Sequence, residues 1–340
     1  MRRCFELAAK GQGNVAPNPM VGCVIEKDGQ IIAEGYHHEF GLDHAEVDAI
    51  ERVSDQSMLQ GAFLYVNLEP CVHHGKTPPC CDRIIESGIS RVIISGSDPN
   101  EKVYGQGIEK LQNAGIEVIK DVLLPEEKNL NRRFRTYHEK KRPYVILKWA
   151  QSADYFMDID RASGGMGSFA ISCEESRTLV HKWRSQEDAI MVGKNTVLID
   201  DPELTTRLVQ GKSPLRITLD KHMSIPEKRK LLCDGHPTLI YTSLESGKKG
   251  ALEYHHLTFK EDVFPDVLND LYRREIQSIL VEGGRSLIDS ILKTGLWDEA
   301  RVFTSKNELQ GGLKAPTMPL EPTASELVGT DKLDFYRRNQ

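Results

Sequence analysis

The sequence predicts an α/β protein made of two consecutive domains. Short apolar runs of the kind found in buried strands alternate with helical stretches along much of the chain, which is the pattern of α/β folds. A charged passage interrupts this alternation before Pro143, and a new apolar run begins directly after it. At 340 residues the chain also exceeds one ordinary domain. We therefore predict a first domain over residues 1–138, a linker over 139–143 and a second domain over 144–340.

The first domain opens with a helix and continues as strands and helices in alternation. Apolar positions at helical spacing over residues 2–10 predict a helix that ends at Gly11-Gln12-Gly13. Asp28-Gly29 is typical of a hairpin turn between two strands. The other predicted elements are strands at 20–25, 30–35, 62–68, 91–95 and 115–120, and helices that start at His44 and Cys80 or span 105–113 and 125–134.

The second domain begins with a strand and shows the same alternation. Ser172-Cys173-Glu174-Glu175 is typical of a capping box, and it predicts a helix from there to Arg184. Gly283-Gly284 follows a predicted strand, where glycines let backbone amides approach a phosphate. The dinucleotide motif G-x-G-x-x-G is absent from the sequence. The remaining predictions are strands at 144–150, 189–193, 215–220, 238–241 and 278–281, and a helix at 265–274.

The strongest chemical signal is a histidine followed by a carboxylate and, downstream, by two cysteines. The segments are His44-Ala45-Glu46, Pro70-Cys71 and Pro78-Pro79-Cys80. One imidazole and two thiolates fill three of the four tetrahedral positions of zinc and leave the fourth for water. A glutamate that is not a ligand can then move protons, as in zinc deaminases. We predict a zinc deaminase site with His44, Cys71 and Cys80 as metal ligands and Glu46 as the catalytic base.

Two assignments near this site have alternatives. Eight residues separate Cys71 from Cys80, whereas deaminases commonly have Cys-x-x-Cys, and Cys81 competes with Cys80 as the third ligand. A cysteine on that other helix face is more typical of core packing. Asn18 lies between two prolines, where its amide can recognise a pyrimidine or form an Asx turn. Without further context the Asx turn is favoured.

Composition and charge exclude several classes of protein. The net charge of −6 and the pI of about 6.0 provide no basic surface for nucleic acid. No apolar run reaches the roughly 20 residues of a membrane span, and the first residues lack a secretory apolar region. Seven cysteines without disulfide spacing favour reduced thiols and a metal site. We expect a cytoplasmic protein with no nucleic-acid or membrane partner.

Motifs in both halves of the chain are similar to those of one enzyme family. In the first half they lie at 17–22, 44–46, 68–71, 75–80 and 98–100. In the second half they lie at 148–152, 181–184, 192–193, 196–197, 200–202 and 281–284. Along nearly its whole length the chain thereby resembles the bifunctional riboflavin-biosynthesis deaminase/reductase family. The eight-residue loop between the cysteines is a feature of that family.

The resemblance implies a fold and two consecutive reactions. The fold is α/β, with an N-terminal cytidine-deaminase-like three-layer domain and a C-terminal dihydrofolate-reductase-like domain. The first domain, with one Zn²⁺ per chain, would deaminate 2,5-diamino-6-(ribosylamino)-4(3H)-pyrimidinone 5′-phosphate. The second would use NADPH to reduce the ribosyl group to ribityl, since the cofactor supplies the hydride and the protein holds the reactants in register. A homo-oligomer is expected by analogy.

The same resemblance assigns site residues by position in this sequence. The expected deaminase substrate contacts are Asn18, His37, His73, Lys76, Asp98 and Asn100. The expected reductase substrate contacts are Ser168, Arg184, Leu204, Arg207 and Glu282, of which the two arginines would clamp the phosphate. The expected cofactor contacts are Ala150, Ala170, Thr196, Asp200, Gly284, Arg285 and Ser286. Of Asp200 and Asp201, we assign Asp200 to the site and a turn cap to Asp201.

One departure from the family pattern and three competing interpretations remain. Tyr155 stands where the family usually has glycine, which could allow close approach of the backbone to the cofactor. A deaminase of another pyrimidine with a degenerate reductase domain is therefore an alternative. A deaminase of nucleic acids or free nucleosides is disfavoured by the acidic balance and the long loop between cysteines. A non-catalytic metal-binding protein is disfavoured by Glu46, because a structural zinc site needs no free carboxylate.

Overall fold

The protein divides into two compact units, which span Met1–Arg142 and Pro143–Gln340. The computed structural model describes residues 1–72, 78–101, 103–161, 167 and 169–338. A helix continues to Lys140, so the first two residues of the predicted linker are helical. Within the described ranges, no helix combines the length and the apolar character needed to cross a membrane.

The first unit contains a five-stranded sheet with helices on both faces. Its helices are α1 Arg2–Ala8, α2 Ala45–Glu51, α3 Cys80–Glu86, α4 Gln106–Asn113, α5 Leu124–Leu130 and α6 Arg132–Lys140. Its strands are β1 Gly22–Lys27, β2 Gln30–Tyr36, β3 Phe63–Leu68, β4 Arg91–Gly96 and β5 Glu117–Ile119.

The sheet of the first unit brings two loop segments to one edge. The strand order is β2-β1-β3-β4-β5, in which β3, β4 and β5 are parallel and the β1 pairings are antiparallel. Leu68 pairs with Gly96 at the carboxyl ends of β3 and β4. Ile50 and Ile84 pack on one face of the sheet, whereas α1 packs on the other. The segments that follow β3 and β4 therefore meet at the edge above α2 and α3.

The helix predicted at 125–134 is in fact two helices. The break is at Asn131, whose side-chain Oδ1 accepts a hydrogen bond from Met20 N (2.9 Å) and whose Nδ2 donates to Met20 O (3.1 Å). These long-range bonds hold Asn131 in a non-helical conformation. The prediction of one closing helix was wrong because no proline or glycine lies near Asn131 to mark the break; the segment's proline, Pro125, lies at its start.

The second unit contains a ten-stranded sheet and a separate two-stranded sheet. Its helices are α7 Glu174–Arg184, α8 Lys194–Asp200, α9 Lys230–Cys233, α10 Phe264–Arg273 and α11 Arg285–Thr294. Its first strands are β6 Tyr144–Gln151, β7 Phe156–Asp158, β8 Ala189–Val192, β9 Leu215–Leu219, β10 Thr238–Thr242, β11 Gly247–Lys249 and β12 Leu252–His256. Its last strands are β13 Ser278–Val281, β14 Glu299–Thr304, β15 Leu313–Lys314, β16 Ala324–Val328 and β17 Asp331–Arg337.

The strand order of the large sheet places β6, the first strand of the unit in the sequence, in the interior of the sheet. The order is β11-β12-β10-β9-β8-β13-β6-β14-β17-β16, and β6 is parallel to both of its neighbours. Apolar side chains of α10 and α11 cover one face, and Val180 and Trp183 of α7 cover part of the other. The α/β fold class and its two-domain composition are confirmed.

The capping box predicted at the start of α7 is not formed. The residue that precedes the helix is Cys173, and no side chain caps it. Instead, the carboxylate of Asp331 accepts a hydrogen bond from Cys173 N at 2.8 Å. If Ser172 were the cap, the helix would begin at Cys173; it begins one residue later, at Glu174.

Candidate active sites

Two helix ends and one strand end bring three metal-ligating side chains together in the first unit. His44 precedes α2, Cys80 is the first residue of α3, and Cys71 lies three residues beyond β3. His44 Nδ1 is 3.3 Å from Cys80 Sγ and 3.6 Å from Cys71 Sγ. All three potential ligand atoms lie within 4.8 Å of one another. One nitrogen and two sulfurs at this spacing fit a tetrahedral zinc site with one open position.

Glu46 lies beside these ligands in the first turn of α2. Its side chain is buried, and burial raises its pKa to about 7. Hydrogen bonding to Cys80 and to His44 lowers the pKa of the Cys71 thiol, whereas the same contact with Cys71 and burial raise the pKa of the Cys80 thiol. Without a metal, Cys71 is therefore the cysteine that favours the thiolate form. Cys81 is fully buried, and its thiol lies 3.4 Å from Pro70 O in the apolar core. The geometry therefore groups Cys80, and not Cys81, with the other ligands.

Asn18 and His37 form a hydrogen-bonded pair near the metal ligands. His37 Nδ1 is 2.9 Å from Asp43 O, and His37 Nε2 is 3.0 Å from Asn18 Nδ2. Because a carbonyl oxygen only accepts, Nδ1 carries the ring proton and Nε2 accepts from the Asn18 amide. The ring of His37 also lies edge-on to that of His44, with centroids 5.3 Å apart. The side chain of Asn18 is thus directed to His37, and the Asx turn favoured from sequence is not formed among the described residues.

The loop after β4 presents Asp98 and Asn100 and is held by Glu69. Asp98 is buried, its carboxylate accepts from Asn100 N at 2.8 Å, and burial raises its pKa to about 7. Glu69 accepts hydrogen bonds from the backbone of Asp98 (3.2 Å), Gly105 (3.0 Å) and Gly107 (2.9 Å). The sequence motif contained Glu69, but its clamping role was not predicted. His73 and Lys76 lie outside the described residues.

Four of the predicted reductase residues of the second unit line a cavity of about 430 Å³. Asp200, Leu204, Arg184 and Arg207 all line it. Among the other residues that line the cavity are Lys148, Arg177 and His181, to which the sequence analysis assigned no site role. Ser168 lies outside the described residues.

Glu282 pairs with two cations at the base of this site. Its carboxylate accepts two hydrogen bonds from Arg184, each of 2.8 Å, and lies 3.7 Å from Lys148 Nζ. Burial would raise the pKa of Glu282, but the charges of Arg184 and Lys148 prevail and lower it to about 2. Burial lowers the pKa of Lys148. Two of the five N–H groups of Arg184 are therefore committed to Glu282, and a third donates to Thr205 O at 3.3 Å.

The predicted cofactor residues fall into a close group and a dispersed one. Thr196 on α8 approaches Gly284, which precedes α11 with a φ of +58°, and a Cβ there would lie 3.1 Å from Thr196 Oγ1. Both follow parallel strands at their carboxyl ends, where open α/β sheets bind ligands. Ala150 lies at the end of β6, whereas Arg285 is bonded to Asp289 and Lys314 O. The remaining predicted residues, Ala170 and Ser286, are exposed.

The conformations at Asp201 and Tyr155 are left-handed. Asp201 has a φ of +46°, and its carboxylate accepts from Lys230 N at 2.9 Å. Asp200 lies 3.7 Å from Arg161, and burial raises its pKa. Tyr155 has a φ of +65° with its side chain 63% exposed. The backbone conformation at Tyr155 is one that favours glycine.

Models of known families match both units. The RibD C-terminal domain matches residues 143–322, and the cytidine and deoxycytidylate deaminase zinc-binding region matches residues 1–96. The riboflavin biosynthesis protein RibD of Aquifex aeolicus is 39% identical, with 99% of this chain and 97% of the relative covered. That of Actinobacillus pleuropneumoniae is 38% identical over 99% and 94%. The chain belongs to the bifunctional riboflavin-biosynthesis deaminase/reductase family.

Solved structures agree with this membership. A diaminohydroxyphosphoribosylaminopyrimidine deaminase/5-amino-6-(5-phosphoribosylamino)uracil reductase from Thermotoga maritima is 39% identical, with a TM-score of 0.89 and coverage of 99% of this chain and 97% of that one. RibD of Acinetobacter baumannii has a TM-score of 0.88 at 28% identity, with coverage of 100% and 98%. As a member of the family, the protein is a zinc-dependent deaminase and an NADPH-dependent reductase of riboflavin biosynthesis. Both domains are present, so a deaminase-only enzyme is not favoured.

Proposed function

We propose that the first unit deaminates 2,5-diamino-6-(ribosylamino)-4(3H)-pyrimidinone 5′-phosphate and that the second unit reduces the ribosyl group of the product to ribityl with NADPH. The observation that carries the first step is the juxtaposition of His44, Cys71 and Cys80 with the buried Glu46. The Thermotoga maritima relative, a deaminase and reductase of this pyrimidine class, supports the assignment.

In the deaminase site, Glu46 moves the protons. His44, Cys71 and Cys80 would hold the zinc ion, which would supply the Lewis acidity that activates water near neutral pH. Glu46 is suited to take a proton from the attacking water and pass one to the departing ammonia, because its buried carboxylate lies beside the three metal-ligating residues and is not itself one of them. We assign binding of the pyrimidine and its ribosyl phosphate to Asn18, His37, His73, Lys76, Asp98 and Asn100.

In the reductase site, the protein positions two reactants. NADPH supplies the hydride. We assign cofactor binding to Ala150, Ala170, Thr196, Asp200, Gly284, Arg285 and Ser286. We assign substrate binding to Ser168, Arg184, Leu204, Arg207 and Glu282. Glu282 orients the Arg184 guanidinium through two bonds, and Thr205 O accepts a third, so the other Arg184 N–H groups are the ones available for the phosphate. Arg207 contributes the N–H groups that its contacts with Glu203 and Thr205 do not use.

The wider assignments follow from the same proposal. Residues 1–138 form the deaminase domain, 139–143 the connection and 144–340 the reductase domain. The enzyme is a cytoplasmic homo-oligomer that acts on a small molecule. The net charge of −6 supports the absence of a nucleic-acid partner.

Separate measurement of the two products tests the proposal. The purified chain is given the diamino-pyrimidinone ribosyl phosphate, and ammonia release and NADPH oxidation are followed independently. Glu46→Gln should reduce ammonia release by roughly 10²-fold or more, while reduction of pre-deaminated substrate stays at the wild-type rate.

Glu51→Gln is the matched control, because Glu51 lies on the same helix but is exposed and paired with Arg83. It should leave both rates unchanged. Wild-type ammonia release in Glu46→Gln, or neither product from the wild-type enzyme, would refute the proposed function.

A further inference from the structure

One ring nitrogen of His181 accepts a hydrogen bond, and the other forms none with the residues that the structure describes. The residue is only 6% exposed, and its Nδ1 lies 3.0 Å from the backbone nitrogen of Arg207. Since a backbone N–H only donates, Nδ1 is the acceptor, and the neutral ring therefore carries its proton on Nε2. Among the residues that the structure describes, none accepts a hydrogen bond from Nε2.

The unpaired donor belongs to a wall of the reductase cavity. Arg177, His181 and Arg184 all line the cavity from α7. Their spacing of four and three residues places them on one face of that helix. His181 Nε2 is not among the fully enclosed atoms that lack a partner, so a ligand can reach it. An N–H group that is open to the cavity can bond to water there, and an anion that binds in the cavity can replace that water with a charge-assisted hydrogen bond.

The surrounding charge identifies the kind of acceptor. Arg177 and Arg184 flank His181 along the helix, and Arg207 also lines the cavity. Burial and the neighbouring charges of Arg184 and Arg207 lower the pKa of His181 to about 4, so the ring is neutral near pH 7. The cavity as a whole is lined by five cationic side chains (Lys148, Arg177, Arg184, Arg207 and Lys230) and by three carboxylates (Asp200, Asp201 and Glu203), so positive charge prevails and complements an anion such as a phosphate.

We propose that His181 Nε2 donates a hydrogen bond to the phosphate group of the reductase substrate. The proposal rests on the proposed function, because it adds a ligand to the phosphate subsite assigned above to Arg184 and Arg207. The same imidazole holds the backbone of Arg207 through Nδ1. His181 thus joins one phosphate-binding arginine to the ligand, and Arg177 is available as a further cation on the same face.

Two substitutions separate the roles of the two ring nitrogens. In His181→Asn the short amide can still accept from Arg207 N, but nothing replaces the Nε2 donor. In His181→Gln the longer amide can place an N–H near the position of Nε2. We expect His181→Asn to raise the KM for the phosphorylated substrate roughly 10- to 100-fold with little change in kcat, and His181→Gln to recover most of this loss.

The substrate without its phosphate supplies the decisive comparison. With the dephosphorylated ribosylaminouracil, wild-type and His181→Asn enzymes should have the same KM. An equal rise in KM for both substrates, or no rise for either, would overturn the proposal. Ammonia release from the deaminase site of the same chain reports folding, and His236→Asn, the same change at an exposed histidine of the unit, should alter nothing.

Calorimetric titration with inorganic phosphate tests the contact without turnover. Wild-type protein should bind phosphate, and His181→Asn should bind it at least about 10-fold more weakly. Equal binding by both proteins would refute the assigned contact even if NADPH oxidation is absent. Absence of NADPH oxidation with wild-type protein would instead refute the proposed reductase activity.

Discussion

Gly35 is a position where one added methyl group should disable one activity and spare the other. It lies on β2 beneath α2, the helix that follows His44 and carries Glu46. A Cβ at this position would contact the backbone nitrogen of Ala49 and would lie 2.6 Å from the carbonyl oxygen of Ala45. Both obstacles are helix backbone, so no side chain can rotate away to make room.

The size of the effect follows from these contacts. Ordinary van der Waals contact begins at 3.4 Å, so Gly35→Ala requires α2 to retreat by about 0.8 Å or more. Displacements near 1 Å at a catalytic group can lower a rate about 10²-fold. Overpacking of this kind also costs about 1–3 kcal/mol of unfolding free energy. We therefore expect kcat/KM for deamination to fall by about 10²-fold while the reductase keeps its wild-type kinetics.

Ammonia release and NADPH oxidation, each with its own substrate, measure the two activities in one preparation. Gly29→Ala is the control, because Gly29 lies in the same hairpin and no atom is within 4 Å of its Cβ position. Its φ of +80° makes that substitution cost about 1 kcal/mol without moving α2. Wild-type deamination by zinc-loaded Gly35→Ala, or an equal loss in both variants, would refute the reasoning.

Three further outcomes are expected. Tyr155→Gly should raise the unfolding free energy by about 1 kcal/mol, because glycine relieves the left-handed backbone at φ +65°; a lowered Tm would mean that the tyrosine side chain stabilises the fold. Removal of zinc by a chelator should abolish ammonia release, spare NADPH oxidation and be reversed by added zinc; retained ammonia release after verified metal removal would contradict this. Because the pKa of Glu282 falls from 4.5 to about 2 on folding, its stabilisation is present above pH 4.5 and is lost as the pH falls through 2. Urea unfolding should therefore show wild type losing its advantage over Glu282→Gln between pH 5 and pH 2, and a constant difference would exclude this linkage.

The elements around the first site were predictable because their sequence pattern is local. The hairpin with Asp28-Gly29 and the apolar run of β3 each have the expected periodicity, and zinc chemistry restricts the ligands to a few residue types. By contrast, β14 was not predicted. Its Glu299 and Arg301 are both buried and are paired at 2.6 Å. Because two of its six residues are charged, β14 does not form an apolar run, although it is an interior strand of the sheet.

The residues that were missed depend on partners distant in the sequence. Glu69 accepts backbone hydrogen bonds from Gly105 and Gly107, 36 and 38 residues away. His181 is defined by its bond to Arg207, 26 residues away. A sequence motif gives the types and spacing of such residues, but it does not show which atoms they contact after folding, and their role depends on those contacts. At Tyr155 the reverse holds: the sequence showed that a tyrosine stands where the family usually has glycine, but only the structure showed that the backbone there is left-handed.

The central place of β6 has a consequence for how the chain folds during synthesis. The first unit's parallel strands follow one another in chain order, so each can add to a neighbour already made. In the second unit β6 can pair with β13 and β14 only after those strands have been synthesised. Val145 N on β6, for example, bonds to Asp298, which lies 153 residues later in the chain. Strand pairing over such separations is slow and leaves apolar edges exposed. We therefore expect the first unit to fold while the second is still being synthesised, and the second unit to be the part of the chain that most needs protection from aggregation.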